Sequence, residues 1–142
     1  MFQGATFHAL DDKGRILLPP RFRLSLGERF VITCGLRRTL TMYTNDTWQK
    51  IAMQLAEPGP FNSAANLLRT VFVGGADEVT TDAQGRLTIP APLREFAELS
   101  GDIVLLGAIN RVEVWSRSRW VAFCATLNDE QLENAARELD LK

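Results

Sequence analysis

The sequence predicts an α+β domain in which two tandem β-α-β-β-α units complete one pseudo-two-fold β-barrel with flanking helices. Three observations predict this class. One stretch of the chain occurs twice, at residues 5–56 and 76–127. Each copy contains short apolar segments bounded by glycine and proline, which is typical of strands. Each copy also ends in a segment whose apolar residues recur at helical spacing.

The repeat is clearest around an Asp-x-x-Gly-Arg motif. Residues 11–23 (DDKGRILLPPRFR) lie 71 positions before residues 82–94 (DAQGRLTIPAPLR). Further along the chain the spacing becomes 72, and Trp48 then falls on Trp120. The repeat divides the chain into unit 1 (1–56), a connector with a helix (57–74), unit 2 (75–127) and a C-terminal helical segment (128–142).

Both units predict the same order of elements. A short strand leads into the Asp-x-x-Gly-Arg turn, where glycine supplies a positive φ and aspartate can accept turn amide hydrogens. An apolar strand follows, and proline ends it. Pro92 suits a first helical turn, with Leu93, Phe96 and Ala97 at helical spacing after it. The later predicted elements are strands 16–18 and 87–89, hairpins of 29–35 with 39–44 and 102–107 with 111–116, and helices 46–56 and 117–127.

The connector and the tail each predict one helix. The breaker run at residues 57–60 precedes a helix at about 62–72. Asn128 and Gln131 fit a capping box at the start of the tail helix. Leu132, Ala135, Ala136 and Leu139 form its apolar stripe, which either packs on its own domain or contacts another protomer.

The length and composition indicate one soluble globular domain or two very small ones. The chain has 142 residues, of which 46% are hydrophobic and 23% charged, and its mean hydropathy is −0.05. A unit this short would be marginal alone, so we expect the two copies to share one core. We expect neither a membrane span nor a secretory signal.

Catalysis and metal binding are disfavoured by the residue types present. Cys34 and Cys124 are too few and too distant for a zinc or redox motif, and we interpret both as small core hydrophobes. His8 is the single histidine. The acidic pairs at 11–12 and 77–78 are not equivalent in the repeat. We therefore expect no enzyme, no cofactor, no metal and no small-molecule substrate.

Charge is unevenly distributed along the chain. The net charge is −1, but residues 1–56 hold eight Lys/Arg against four Asp/Glu, whereas residues 128–142 hold two against five. A basic first half favours an anionic partner. The alternative is that these charges simply form a solvated surface.

The repeated motif places an arginine beside a glycine turn twice. If Arg15 and Arg86 lie on one face, they could enter a DNA major groove together and each contact guanine O6 and N7. Lys13 and its equivalent Gln84 lie on the same turns, where they could contact phosphate or base. The flanking arginines that could hold phosphates are Arg21, Arg23 and Arg94.

A purely structural reading of the motif remains open at this point. Asp11 with Arg15, and Asp82 with Arg86, could be turn-stabilising pairs that recur because the fold recurs. Gly14 and Gly85 would then serve the turn alone. Arg23 and Arg94 could each pair with a motif aspartate of their own or the other unit.

The start Met1-Phe-x-Gly-Ala, the paired Asp-x-x-x-Arg motifs and the two-unit layout resemble the MraZ family of bacterial transcriptional regulators. Each unit is similar to the AbrB/SpoVT swapped-hairpin DNA-binding fold. The resemblance implies a cytoplasmic, nucleoid-associated protein that binds short G-rich direct repeats of double-stranded DNA upstream of its own gene, in a cell-division and cell-wall gene cluster. It also implies a ring-shaped homo-oligomer.

The resemblance implies that Arg15 and Arg86, with Lys13 beside the first, contact DNA. The second motif departs from the first, because Ala83 and Gln84 stand where the first has Asp12 and Lys13. We therefore expect the two units to contribute unequally. The alternative function is a non-enzymatic protein-interaction or assembly module on the same fold.

Overall fold

The computed structural model describes residues 1–141, which form eight strands and six α-helices. The strands are β1 (Phe2–Ala9), β2 (Arg15–Leu17), β3 (Arg29–Cys34), β4 (Leu40–Thr44), β5 (Asp77–Thr80), β6 (Arg86–Thr88), β7 (Asp102–Ile109) and β8 (Val112–Ser116). The helices are α1 (Pro20–Leu26), α2 (Asn45–Ala56), α3 (Ser63–Leu68), α4 (Ala91–Phe96), α5 (Arg117–Ala125) and α6 (Asp129–Glu138).

The helix boundaries follow from capping residues that the sequence places at each start. Pro20 and Pro92 occupy the first turns of α1 and α4, where a missing amide hydrogen costs nothing. Thr44 caps α2 by accepting from the Thr47 amide at 3.2 Å, and Ser116 does the same for α5. The capping box of Asn128 and Gln131 is present at the start of α6, as predicted.

The strands of the two units are exchanged. The main sheet has the order β1-β7-β8-β4-β3-β5, and β2 pairs with β6 in a separate antiparallel ribbon. The first strand of each unit therefore pairs with the third strand of the other, β1 with β7 and β5 with β3. The predicted α+β class and the tandem units are confirmed. Within the described residues the expected barrel is not closed, since β1 and β5 are the two edges of the main sheet and do not pair with each other.

One hydrophobic core lies between the ribbon, the main sheet and helices α1 and α4. It contains residues from both units, among them Ile16, Leu18, Leu87 and Ile89, all at most 1% exposed. Burying one such side chain contributes about 1.5–3 kcal/mol. Because each unit supplies part of every layer, the core depends on the exchange of strands.

The outer helices are less buried than the core elements. The connector forms α3 and then a π-helical turn at Arg69–Val73, where one regular helix was predicted. Leu132 of α6 and Leu139, which caps its C-terminal end, are exposed, so the apolar stripe of the tail does not pack on its own domain. Lys142, the last residue of the predicted tail segment, lies outside the described residues. Among residues 1–141, no helix is long and apolar enough to cross a membrane.

The two cysteines have different environments. Cys34 is buried at the end of β3, as predicted, and burial raises the pKa of its thiol. Cys124 is exposed, so the prediction that it is a core hydrophobe was wrong. It lies on the outer side of α5. On the inner side of the same helix, Trp120 and Phe123 contact Trp115.

Candidate nucleic-acid interface

The first Asp-x-x-Gly-Arg motif forms a closed turn between β1 and β2. One carboxylate oxygen of Asp11 accepts hydrogen bonds from the backbone amides of Lys13 (2.9 Å) and Arg15 (2.8 Å). The Gly14 amide donates to the Asp11 carbonyl at 3.1 Å. Gly14 has a φ of +76°, which favours glycine at this position. The aspartate side chain and carbonyl thus accept three of the amide hydrogens of the turn.

The second motif forms the same turn between β5 and β6. Asp82 accepts from the amides of Gln84 and Arg86, both at 2.9 Å. The Gly85 amide donates to the Asp82 carbonyl at 3.0 Å, and Gly85 has a φ of +79°. The two turns differ by only about 0.1 Å in these hydrogen bonds, since Asp, Gly and Arg determine the geometry.

Each motif aspartate also holds its arginine. The second oxygen of Asp11 accepts from Arg15 Nε at 2.8 Å, and Asp82 accepts from Arg86 Nε at 2.9 Å. These side chains are partly exposed, and ion pairs of that kind contribute little to stability. Their effect is on orientation. The terminal nitrogens of Arg15 donate to no described residue, whereas Arg86 Nη2 donates to Gln84 Oε1 at 3.3 Å.

The ribbon of β2 and β6 brings the two arginines to one surface. Ile16 and Leu87 pair in register and both point into the core. Since side chains alternate along a strand, Arg15 and Arg86 point to the opposite, outer face. Arg15 pairs with Thr88 and is therefore diagonal to Arg86, a separation of about 7–8 Å between backbones. Both arginines therefore lie on one outer face of the ribbon.

Arg94 and Arg23 lie against the turns of the opposite units. A Cβ atom on Gly14 would fall 1.2 Å from Arg94 Nη1, and one on Gly85 would fall 2.0 Å from Arg23 Nη1. Each guanidinium of one unit therefore fills the space that a glycine leaves in the other. The ion pairs of Asp11 and Asp82 are with their own motif arginines, so Arg23 and Arg94 do not take that role.

The backbone adds a second link between the units at each turn. The Ile89 amide donates to the Gly14 carbonyl at 2.9 Å, and the Leu18 amide donates to the Gly85 carbonyl at 3.0 Å. Each turn is thus anchored by the strand that follows the other motif. A displacement of either turn would disturb both units.

Arg21 is the third predicted phosphate-binding arginine, and it lies away from the turns. Its guanidinium is 3.1 Å from where a Cβ on Gly4 would lie, and it stacks over the Phe22 ring at 5.0 Å. It is exposed, and it lies beside Gly4 of β1, which has a φ of +87°. The structure therefore groups Arg23 and Arg94 with the motifs but not Arg21.

Within each turn the formal charges of the acidic and basic side chains cancel. Residues 11–15 hold two acidic and two basic side chains, and residues 82–86 hold one of each. Arg94 and Arg23 then give each turn one further positive charge. The hydrogen bond from the Arg15 backbone amide is the main cause that lowers the pKa of Asp11. The hydrogen bond from the Arg86 amide lowers the pKa of Asp82 in the same way. Both aspartates consequently stay ionised and hold their arginines at neutral pH.

A family model described as "MraZ protein, putative antitoxin-like" matches residues 1–70 and 72–142 of the chain. The chain belongs to this family. The two matched ranges each contain one unit of the repeat, which agrees with the tandem MraZ layout.

Curated relatives are similar along most of the chain. The transcriptional regulator MraZ of Moorella thermoacetica is 41% identical over 141 residues, covering 99% of this chain and 98% of the relative. That of Lachnoclostridium phytofermentans is 45% identical over 120 residues, 84% of each chain. That of Halothermothrix orenii is 39% identical over 141 residues, 99% of each chain.

Two features of this surface were not identified from the sequence. Leu17 and Thr88 share the outer face of the ribbon with the motif arginines. Alternation around the buried Ile16 and Leu87 would have placed them there. The contact of Arg94 with Gly14 had no comparable local signal, because it joins residues of different units.

Proposed function

We propose that the chain is a sequence-specific, DNA-binding transcriptional regulator without catalytic activity. It binds short G-rich direct repeats upstream of its own gene in a cell-division and cell-wall gene cluster, and it acts in the cytoplasm, associated with the nucleoid. The observation that carries this proposal is the position of Arg15 and Arg86 on one outer face, each with Nε held by an aspartate.

The hydrogen bond to aspartate prepares each arginine for guanine. It fixes the guanidinium while its terminal nitrogens can still donate to O6 and N7 of one base. A good pair of this kind contributes about 1–3 kcal/mol of discrimination against other bases. The backbone separation of about 7–8 Å matches roughly two steps of 3.4 Å along a DNA strand. The two arginines would therefore read nearby guanines of one repeat.

Phosphate contacts come from the surrounding basic and polar groups. Lys13 and Gln84 are exposed at the tips of the turns, where they can reach the DNA backbone. Arg23 and Arg94 border the same turns and can add charge there. Arg21, which lies near Gly4, would contact phosphate only farther along the duplex.

A ring-shaped homo-oligomer would supply the affinity that a protomer of net charge −1 lacks. The exposed Leu132 on α6 and Leu139 at its C-terminal end support a contact between protomers. Linking sites that bind successive repeats can raise avidity by about 10²–10⁴ without new contacts. Sedimentation velocity should then show one large species, which Leu132→Asp shifts toward smaller ones. A wild-type chain that stays monomeric at all concentrations would exclude the ring.

The decisive experiment compares fluorescence anisotropy of a duplex from the gene's own upstream region with that of a scrambled duplex of equal composition. Both are titrated at two salt concentrations with the wild-type chain and with Arg15→Ala. We expect preference for the native duplex, and its loss in the variant. Equal binding of both duplexes by the wild type, with steep salt dependence, would mean phosphate contact alone.

The second candidate function is a protein-interaction or assembly module. The exposed apolar side chains of Met53, Leu132 and Leu139 favour it, since a partner protein that covered them would bury apolar surface. This function predicts no binding to either duplex and a stable complex with a partner protein. The anisotropy experiment separates the two functions in its first titration.

A further inference from the structure

Leu17 is an apolar side chain on the face that carries the motif arginines. It is 54% exposed, although its neighbours Ile16 and Leu18 are almost completely buried. Those two buried side chains fix the backbone at Leu17, so the Leu17 side chain points to the outer face. A single exposed leucine is common on protein surfaces, and exposure alone therefore assigns it no role.

The register gives Leu17 a specific neighbourhood. It pairs directly with Arg86 across the ribbon. Its Cδ1 lies 3.8 Å from where a Cβ on Gly85 would be, so Leu17 packs beside the second turn. An apolar group is thus held beside an arginine that the second aspartate orients. The surface around the second turn therefore contains Leu17 of unit 1 as well as residues of unit 2.

The equivalent position in the other unit is Thr88, which is exposed and pairs with Arg15. The two arginines consequently have different partners, a leucine beside Arg86 and a threonine beside Arg15. All groups closer to the core are conserved in type between the units, with Ile16 against Leu87 and Leu18 against Ile89. The difference is confined to the outer face.

We propose that Leu17 is a specificity-determining residue that contacts the C5-methyl group of a thymine next to the base bound by Arg86. This inference rests on the proposed function. The thymine methyl is the apolar group that the major groove presents, and side chains that read it are apolar or carry a methyl. Leu17 can cover such a methyl while Arg86 contacts the neighbouring base. Thr88 is shorter and polar, so the Arg15 side depends less on a methyl.

The test removes thymine methyl groups from the DNA and the side chain from the protein. Thymines of the native upstream duplex are replaced by deoxyuridine, one at a time and all together, which removes only methyl groups. Dissociation constants are measured for the wild type, Leu17→Ala and the matched control Thr88→Ala. A further variant, Leu17→Thr, copies unit 2 into unit 1 and retains a side chain suited to a strand.

We expect deoxyuridine at one position to weaken wild-type binding by about fourfold, the factor for one buried methyl-sized group. Leu17→Ala should bind the native duplex about fourfold more weakly and lose its response at that position. Leu17→Thr should show a reduced response, and Thr88→Ala should keep the full one. Because the response is compared between variants on the same duplexes, effects of deoxyuridine on DNA shape cancel.

Two results would overturn the inference. In one, wild type binds native and fully substituted duplexes equally while still preferring them over the scrambled duplex. In the other, Leu17→Ala keeps the wild-type response at every thymine. Loss of preference over the scrambled duplex in the wild type would instead mean that the proposed function itself fails. Circular dichroism and thermal unfolding of each variant show that the exposed substitutions leave the fold intact.

Discussion

The two Asp-x-x-Gly-Arg turns have the same framework and different surfaces. In both turns the aspartate accepts from two amides and from its arginine, and the glycine has a φ near +80°. The exposed positions differ, since Lys13 and Thr88 accompany Arg15, whereas Gln84 and Leu17 accompany Arg86. The side chain of Arg15 is 26% exposed and that of Arg86 is 37% exposed. The framework residues therefore give both turns the same backbone geometry, and the exposed residues give each turn a different surface.

The largest expected effect concerns the shared core. Leu18→Ala and Ile89→Ala remove equivalent side chains of the two units, both fully buried. Each should lower the free energy of unfolding by about 2–5 kcal/mol. Because the units exchange strands, each variant should keep one cooperative transition in urea, followed by circular dichroism. Two separate transitions, only one of them shifted, would show that the units fold independently.

How much the sequence could predict depends on whether a feature is local. The strands around Ile16 and Leu87 were predicted within one residue, because glycine and proline bound them and the repeat supplies two examples. The capping box at Asn128 was confirmed because it depends only on two residues three positions apart. The resemblance to a swapped-hairpin fold implied that the units share strands, but the contact of Arg94 with Gly14 could not be derived, since it joins residues 80 positions apart through tertiary structure. Cys124 was misplaced because the helical stripe does not define how deeply α5 is buried.

The next effect tests the contact of each glycine with the opposite unit. Gly14→Ala strains a positive φ and displaces the guanidinium of Arg94, so it should cost about 1–3 kcal/mol of unfolding free energy. Gly85→Ala should cost a similar amount, since its φ is also positive and it displaces the guanidinium of Arg23. Chemical denaturation measures both.

Gly59→Ala is the matched control, because no atom lies within 4 Å of its Cβ and its φ is not positive. Adding Arg94→Ala should recover part of the loss in Gly14→Ala but none of the loss in Gly85→Ala. Equal recovery in both would show that the arginine does not act on one particular turn.

A smaller effect separates base contacts from phosphate contacts in the two turns. Lys13→Gln gives the first turn the residue of the second, and Gln84→Lys does the reverse. Lys13→Gln should weaken binding to native and scrambled duplexes alike and reduce the slope of log K against log salt by about 1. Gln84→Lys should raise that slope by about the same amount. If Lys13→Gln instead weakened only the native duplex, Lys13 would be a base contact.

The smallest effect concerns pH, and here the two turns should behave alike. Hydrogen bonds from the backbone amides of Arg15 and Arg86 lower the pKa values of Asp11 and Asp82 in the folded chain. A carboxyl whose folded pKa is depressed stabilises the fold at pH values above its unfolded pKa of about 3.9. That contribution is lost as pH falls through the folded pKa.

Carbon-detected NMR titration should therefore give both carboxyls midpoints below the usual value. Asp11→Asn and Asp82→Asn should each make the acid-side decline of stability shallower, and by similar amounts. A depressed midpoint at only one of the two aspartates would show that the turns differ in framework as well as in surface.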